Sequence, residues 1–193
     1  MHWAVDAQAL GRLLPARVEL DTYQGRAYLG VVPFRMEGIR PRFTFDVPGL
    51  SAFAELNLRT YVTVQGVPGV WFFSLDTAQP TAVQLARAAF HLPYLNARMW
   101  TRKQGDVVEY ASLRTHQGVA PARFAAAYRP VGEVFTAQPG SLEDWLTNRS
   151  VLYSVDRQGH IFRGDIHHAP WPLQGAEARV AVNTLSEQIG LPL

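Results

Sequence analysis

Short apolar runs that alternate with tight turns restrict the fold of this sequence more than any other feature. About nine runs are rich in Val, Leu, Phe, Tyr and Thr, the residue types that favour β-strands. Turn-forming segments separate many of these runs, at residues 24–25, 65–69, 102–106 and 157–159. Because tight turns join antiparallel neighbours and parallel neighbours need long crossovers, we expect mostly antiparallel pairing. The pattern predicts a curved sheet or a partly closed barrel with a few helices packed outside it.

Three segments carry helix signals: residues 6–15, 80–92 and 141–149. The first begins with Asp6, a candidate N-cap, and ends at a proline. The second places apolar side chains at helical spacing. The third begins with Ser141, three residues before an acidic residue, which is a helix-start signature.

Two proline-containing segments interrupt the strand pattern. Residues 41–53 contain two prolines and a glycine and are predicted to form a loop. Pro33 lies inside a long predicted strand, where the missing backbone N–H indicates a sheet edge or a bulge.

Composition limits the class of protein. With 48% hydrophobic and 18% charged residues, the 193 residues predict one globular domain over residues 1–193. The absence of cysteine excludes disulfides and thiolate metal sites. No signal-peptide pattern and no run of about 18 apolar residues occurs, so we expect a cytoplasmic protein without a membrane partner. The arginines are scattered among acidic residues rather than clustered, so we expect no nucleic-acid partner.

The segment "FAELNLRTYV" (53–62) places unusual polar side chains on a strand that is otherwise apolar. Because side chains alternate along a strand, Glu55, Asn57, Arg59 and Tyr61 share one face. Glu55 and Arg59 are separated by roughly 13 Å along the strand, so they cannot pair directly and each needs another partner. The simplest alternative is that this face of the sheet is exposed to solvent.

The expected neighbouring strand favours a buried location instead. In "VWFFSLD" (70–76), Trp71, Phe73 and Leu75 alternate with Val70, Phe72, Ser74 and Asp76, so both faces are largely apolar. A strand beside it should not expose a whole face, whereas a barrel interior accommodates both strands. Charges placed inside must be paired or must serve a ligand.

A second polar group occurs in "DIHHAPWPLQGAE" (165–177). His167 and His168 point to opposite faces of a strand, so at most one joins a given site. The simpler interpretation leaves one histidine exposed and the other hydrogen-bonded to a backbone carbonyl near the turn at 170–172. Trp171, held between two prolines, is expected at a pocket rim.

Several kinds of chemistry lack their sequence signals. A metal would need ligands such as His2, His116 or Glu55, but the spacing matches no metal-ligand pattern, so we predict no metal and no other cofactor. The chain has no cysteine, no nucleophile elbow and no glycine-rich phosphate loop.

Five stretches, "VPFRM", "PGLSAFAELNLRTYV", "GVWFFSLD", "LPYLNARM" and "IHHAPWPLQGAE", occur in the order typical of the YqjF-like bacterial family. That family is a domain of unknown function grouped with the acetoacetate decarboxylase-like superfamily, and the similarity spans about residues 2–183. The resemblance implies an α+β fold: a cone-shaped, mostly antiparallel β-barrel with a central cavity and a few outer helices.

The enzyme that gives the superfamily its name uses a lysine that forms a Schiff base with a β-keto acid. Here Lys103 is the only lysine, and it lies at a predicted hairpin turn. An exposed amine is protonated at neutral pH and is a poor nucleophile, which argues against Schiff-base decarboxylation. The resemblance matches Glu55 to the acidic pocket residue of the enzyme and makes Arg59 a candidate to receive a carboxylate.

Three hypotheses follow for the function. In the first, the barrel binds a small organic acid through Arg59 or Arg35, with Glu55 and Asn57 fixing its orientation. The apolar walls of that pocket would be Phe73, Trp100 and Trp171.

In the second hypothesis the protein is a lyase-type enzyme without a covalent intermediate. Glu55 is then a general base, Arg59 stabilises an enolate-like charge, and His167 or His168 carries a proton. In the third, Glu55, Arg59 and Arg98 form a purely structural ion-pair network. The apolar content and the many strand edges also favour a homodimer.

Overall fold

A computed structural model of the chain describes residues 1–37, 52–80, 83, 84, 87 and 90–193. These residues contain helices α1 (Ala7–Gly11) and α2 (Leu142–Thr147) and a 3-10 helix (Ser186–Ile189). Eleven strands account for most of the rest: β1 (His2–Val5), β2 (Glu19–Leu20), β3 (Ala27–Glu37), β4 (Ala52–Val64), β5 (Val67–Thr77), β6 (Tyr94–Gln104), β7 (Val107–Arg114), β8 (Arg123–Thr136), β9 (Val151–Val155), β10 (Ile161–Asp165) and β11 (Pro172–Asn183).

The strands form one curved sheet in the order β1-β3-β4-β5-β6-β7-β8-β11, with β2 beside β4 and β9 between β5 and β10. The prediction of antiparallel pairing is confirmed for most pairs and is wrong for β5–β6 and β5–β9, which are parallel. The connection from β5 to β6 spans residues 78–93, which is long enough for a crossover. The result is a mostly antiparallel half-barrel with few helices, as the predicted α+β class requires.

Two tight turns form where the sequence predicts them. Gln65 and Gly66 connect β4 to β5 with φ values of 52° and 77°. Gln24 and Gly25 precede β3 with φ values of 50° and 77°. Two consecutive positive φ values match the twist of a right-handed hairpin, and glycine supplies the second at little steric cost.

Strand β4 is buried on both faces. Leu56, Leu58 and Val62 are almost completely inaccessible and pack into the apolar core. We call the opposite face, which carries Glu55, Asn57, Arg59 and Tyr61, the polar face. β4 keeps an unbroken register with β3, so these four side chains lie on one side of the sheet, as the alternation predicts.

The alternation predicted for β5 is wrong beyond its middle. The register between β4 and β5 shifts at Leu58 and Arg59, so that Phe73 is an extra residue in β5. This bulge places Leu75 in the same cluster as Val70 and Phe72, instead of beside Trp71. A single inserted residue moves every later side chain of the strand to the other face of the sheet. A prediction from strict two-residue alternation cannot include such an insertion.

Helix α2 begins as predicted at Ser141, whose Oγ accepts a hydrogen bond of 3.2 Å from the Asp144 N–H. It covers one end of the polar face, where Trp145 and Leu146 pack against Tyr61. Helix α1 likewise begins after its predicted cap, Asp6.

An ion pair is buried on the opposite side of the sheet. Arg114 in β7 lies 2.9 Å from Asp76 in β5 and also donates to the Ser74 hydroxyl at 2.8 Å. Its remaining nitrogen donates to Gln188 in the 3-10 helix. The guanidinium therefore ties the middle of the sheet to the C-terminal segment.

Pro33 lies at a sheet edge, as predicted. It pairs with Leu56 of β4 on one side, whereas β1 pairs with β3 only over residues 27–30, so no described strand lies on its other side. The loop predicted over 41–53 falls outside the described residues except at its last two positions, which begin β4. In the helix predicted over 80–92, the described residues 80, 83, 84, 87 and 90 are helical, whereas 81, 82, 85, 86, 88 and 89 fall outside the described residues. No helix in the described ranges is long and apolar enough to cross a membrane.

Candidate functional site

The polar face of β4 is largely buried rather than exposed to solvent. Glu55, Asn57 and Tyr61 are 1%, 4% and 0% exposed, and Arg59 is partly buried. Neighbouring strands add Phe34 and other apolar side chains opposite these residues, so the charges lie in a surrounding of low polarity.

Glu55 is held by a tyrosine rather than by a cation. The Tyr94 hydroxyl donates to Glu55 Oε2 at 3.1 Å, and the residue forms no ion pair with Arg59 or Arg98 among the described residues. Burial raises the pKa of Glu55 to about 7, although hydrogen bonds from Tyr94 and Asn57 favour the charged form. The carboxyl group can therefore gain or lose a proton near neutral pH.

Arg59 is a cation without a carboxylate partner in the part of the chain that the structure describes. One terminal nitrogen donates to the Leu146 carbonyl at 3.3 Å and approaches the Tyr61 hydroxyl at 3.4 Å. Its Nε is buried and has no hydrogen-bond partner there. The guanidinium therefore keeps unused donor capacity inside the protein.

Tyr61 connects the arginine to β1 and α2. Its hydroxyl donates to the Leu146 carbonyl at 2.9 Å. Because the hydroxyl hydrogen is used in that bond, the His2 Nε2–H donates to the Tyr61 hydroxyl oxygen at 2.8 Å. Burial lowers the pKa of His2 to about 3, with a smaller effect from Arg59, so the ring is neutral. Gly30 makes room for this contact, because a methyl group there would lie 2.9 Å from the His2 ring.

Three buried polar atoms on β4 and β6 have no hydrogen-bond partner in the described chain. Besides Arg59 Nε, they are Asn57 Oδ1 and Asn96 Oδ1. Asn96 is opposite Thr77, which is in turn opposite Glu55, so all three strands present these groups in the same direction. Buried polar groups are normally paired, so each unpaired one requires an explanation.

Other predicted site residues do not join Glu55. Arg98 and Trp100 are exposed on β6, and Arg35 is exposed on β3, opposite Ala54. Phe73 packs with the two clusters on the side of the sheet away from the polar face.

The two histidines near Trp171 also lie apart from Glu55. His167 is exposed, and His168 Nδ1 is 2.8 Å from the Ala169 carbonyl, to which it donates. This confirms the simpler interpretation of the histidine pair. Trp171 is half exposed and packs against His168, with 5.0 Å between ring centres.

Lys103 is exposed near the end of β6, opposite Val108 and just before the hairpin turn. Within the described ranges, no three His, Asp or Glu side chains lie close enough together to hold a metal. Open cavities of about 420 and 320 Å³ occur elsewhere, one beside Trp145 and Arg149 and one between β8 and β11 near Tyr128.

Sequence reasoning missed Tyr94 and gave His2 only as a candidate metal ligand. Tyr94 reaches Glu55 because β6 pairs with β5 in parallel, and His2 reaches Tyr61 because β1 pairs with β3. Both contacts depend on strand order, for which the local sequence carries no signal.

Comparisons with known proteins agree with the fold. Residues 1–193 match the model of the DUF2071 family, described as an uncharacterized conserved protein. The uncharacterized protein YqjF of Bacillus subtilis strain 168 is 47% identical over 192 residues, covering 100% of this chain and 78% of YqjF. The predicted resemblance to YqjF-like proteins is confirmed.

Solved structures of low sequence identity share the fold. Acetoacetate decarboxylase from Legionella pneumophila matches with a TM-score of 0.58 at 13% identity, over 97% of this chain and 73% of that one. The enduracididine biosynthesis enzyme MppR, complexed with a condensation product of pyruvate and imidazole 4-carboxaldehyde, gives 0.62 at 14%, over 100% and 77%. MppR complexed with pyruvate gives 0.53 at 13%, over 94% and 86%.

Proposed function

The chain belongs to the DUF2071 family of uncharacterized conserved proteins, and we propose that it binds a small organic acid on the polar face of β4. In this proposal the protein is cytoplasmic, consists of one domain, binds a small molecule, and has no nucleic-acid or membrane partner.

The state of Arg59 is the observation that carries this proposal. A partly buried guanidinium with a buried, unused Nε–H and no carboxylate partner in the described chain is costly to keep unless an anion joins it. A ligand carboxylate fits the fork of the guanidinium with two parallel hydrogen bonds, which is the strongest neutralising contact available.

Neighbouring groups on the same strand would orient such a ligand. Asn57 Oδ1 is a buried acceptor without a donor, so a ligand hydroxyl would satisfy it. Glu55 lies roughly 13 Å from Arg59 along the strand, so it would contact only the far end of a longer acid, to which it can present either a donor or an acceptor because burial brings its pKa to about 7. The complexes of MppR with pyruvate and with its condensation product support a ligand of this size in a related fold.

A thermal-shift experiment with pyruvate, lactate, acetoacetate and 3-hydroxybutyrate tests the proposal. We expect at least one acid to raise the melting temperature of the wild type and to lose this effect in Arg59→Met. Arg98→Met is the matched control, because Arg98 is exposed on β6 and should leave the effect intact. A shift that survives in Arg59→Met would place the acid elsewhere.

If the polar face is purely structural, none of these acids will stabilise the wild type. Arg59→Met and Glu55→Gln will then change only the stability of the protein without ligand. That result would reject the proposed binding function.

A second candidate function is enolate chemistry with Glu55 as general base. It is favoured by the raised pKa of Glu55, which suits proton abstraction next to a carbonyl at neutral pH. Neither His167 nor His168 hydrogen-bonds to Glu55 among the described residues, so this proposal assigns the proton transfer to Glu55 alone. The exposed position of Lys103 also argues against a Schiff base.

Exchange of the pyruvate methyl protons in D₂O, followed by proton NMR, tests this chemistry. A base at Glu55 would remove a methyl proton to form the enolate, which then takes up a deuteron. We expect Glu55→Gln to abolish any protein-dependent exchange while pyruvate still binds. If exchange is no faster with wild type than in buffer, the enolate chemistry is rejected and only the binding function remains.

A further inference from the structure

Strand β11 forms an open edge of the sheet. It pairs with β8 on one side, and no strand in the described ranges lies along its other side. The side chains of residues 174–181 are all exposed. A strand of twelve residues with one free side presents a row of unpaired backbone N–H and C=O groups, which is a template for pairing with another strand.

Two irregularities limit which part of this edge is suited to pairing. The register with β8 shifts between Gln174 and Gly175 and again between Val180 and Val182. The regular segment between these shifts is Gly175–Val180. Because bulges bend a strand and interrupt pairing, a new partner is restricted to this short segment.

The charges in this segment are complementary to a second copy of themselves. Glu177 and Arg179 flank Ala178, and their side chains point to the same face because they are two residues apart. In an antiparallel pair of two β11 strands with Ala178 opposite Ala178, Glu177 of each copy lies opposite Arg179 of the other. The same register places Ala176 opposite Val180 on the other face.

The charged groups are available for such contacts. Both hydrogen bonds from Arg129 to Glu177, of 3.0 and 2.8 Å, end on Oε2, so Oε1 keeps acceptor capacity. Glu177 and Arg129 are more than half exposed. Arg179 is exposed and makes no ion pair with any described residue.

We propose that two copies of the chain associate by antiparallel pairing of their β11 strands about a two-fold axis at Ala178. The interface is self-complementary, as two-fold symmetry requires. It joins the two half-barrels edge to edge and pairs backbone groups that one chain leaves open. Two Glu177–Arg179 contacts fix the register.

A charge-exchange experiment tests the register directly. In Arg179→Glu, two like-charged pairs face each other across the axis, and the same holds for Glu177→Arg. We expect the wild type to sediment as a dimer and each variant alone to dimerise at least about tenfold more weakly. An equimolar mixture of the two variants restores opposite charges at both contacts, so it should dimerise again.

Analytical ultracentrifugation across a concentration series measures the three cases, and circular dichroism confirms that each variant is folded. Arg163→Glu is the control for a charge reversal at another exposed site of the sheet. A wild type that is monomeric at every concentration would overturn the proposal. So would a dimer that neither variant weakens, or a mixture that stays as monomeric as its components.

Discussion

Glu55 illustrates how burial sets the chemistry of one residue. Its carboxyl group has 1% exposure and a hydrogen bond from Tyr94, but no cation pairs with it in the described chain. Desolvation therefore outweighs the hydrogen bonds and brings the pKa from 4.5 to about 7. The residue identity alone does not specify this behaviour, because the same carboxyl group beside a guanidinium would stay ionised.

This pKa predicts how stability depends on pH. Between the unfolded value of 4.5 and the folded value of about 7, the folded protein binds more protons than the unfolded chain. The contribution of Glu55 is complete below pH 4.5 and is lost as the pH rises through 7. We expect Glu55→Gln to gain roughly 3 kcal/mol relative to wild type between pH 4 and pH 8, measured by urea denaturation.

Glu133→Gln is the control, since Glu133 is exposed on β8. His2 shifts stability in the opposite direction, because its pKa is lowered to about 3 and its contribution is lost as the pH falls below its unfolded value. Both variants retain His2, so its effect cancels in the comparison. Parallel stability curves for wild type and Glu55→Gln would contradict the prediction.

Helix α2 is an element whose carbonyl groups are used by the sheet. With six residues it cannot satisfy its own C-terminal carbonyls, and side chains of other elements take them over. Tyr61 and Arg59 donate to the Leu146 carbonyl, and Arg149 donates to the Trp145 carbonyl at 2.7 Å. These hydrogen bonds hold helix α2 against the polar face and position the Arg59 and Tyr61 side chains.

Tyr61→Phe should destabilise the protein by about 1–3 kcal/mol. The change leaves the buried Leu146 carbonyl and the His2 Nε2–H with fewer partners, and unpaired buried groups carry a desolvation cost of this size. Tyr23→Phe is the matched control, because its hydroxyl donates to the Gly140 carbonyl at an exposed site. Equal costs for the two variants, measured by chemical denaturation, would contradict this account of Tyr61.

Local signals predicted most elements, and pairing decided the rest. The caps at Asp6 and Ser141 and the turn at Gln65-Gly66 depend on a few adjacent residues, and all three form as expected. The bulge at Phe73 and the parallel neighbours of β5 depend on which strands meet. The sequence around Phe73 reads as a regular strand, so neither feature was predictable.

At the scale of the whole molecule, the buried Arg114–Asp76 ion pair joins distant parts of the described chain. Arg114 and Asp76 are 2% and 1% exposed, and together with Gln188 they connect β5, β7 and the C-terminal 3-10 helix. Burial raises the pKa of Asp76, and the Arg114 guanidinium opposes that shift. Removing one partner would leave an uncompensated charge inside the protein.

Arg114→Met should therefore cost about 3–5 kcal/mol of unfolding free energy. Arg163→Met is the matched control, because it removes an exposed ion pair with Asp165 and should cost less than about 1 kcal/mol. Asp76→Leu combined with Arg114→Met should recover much of the loss. Equal destabilisation by the two single variants in denaturant titrations would contradict the special role of burial.

The same division between local and distant information holds for the candidate site. Strand alternation predicted that Glu55, Asn57, Arg59 and Tyr61 share a face, because the period of two holds along β4. Trp100 was placed with them by residue type, and Trp171 by its position between two prolines. The structure leaves both half exposed, Trp100 on β6 and Trp171 just before β11.

The sheet divides at β5, and this division constrains the order of folding. One edge of β5 pairs with β9 at Val70 and Trp71, and with β6 at residues 75–77. Strand β9 is not synthesised until the ribosome has reached residues 151–155, about eighty positions after the residues of β5 that it pairs with. While residues 78–150 are added to a nascent chain, the Val70–Trp71 part of this flank has no partner strand, so its backbone groups are open to incorrect pairing.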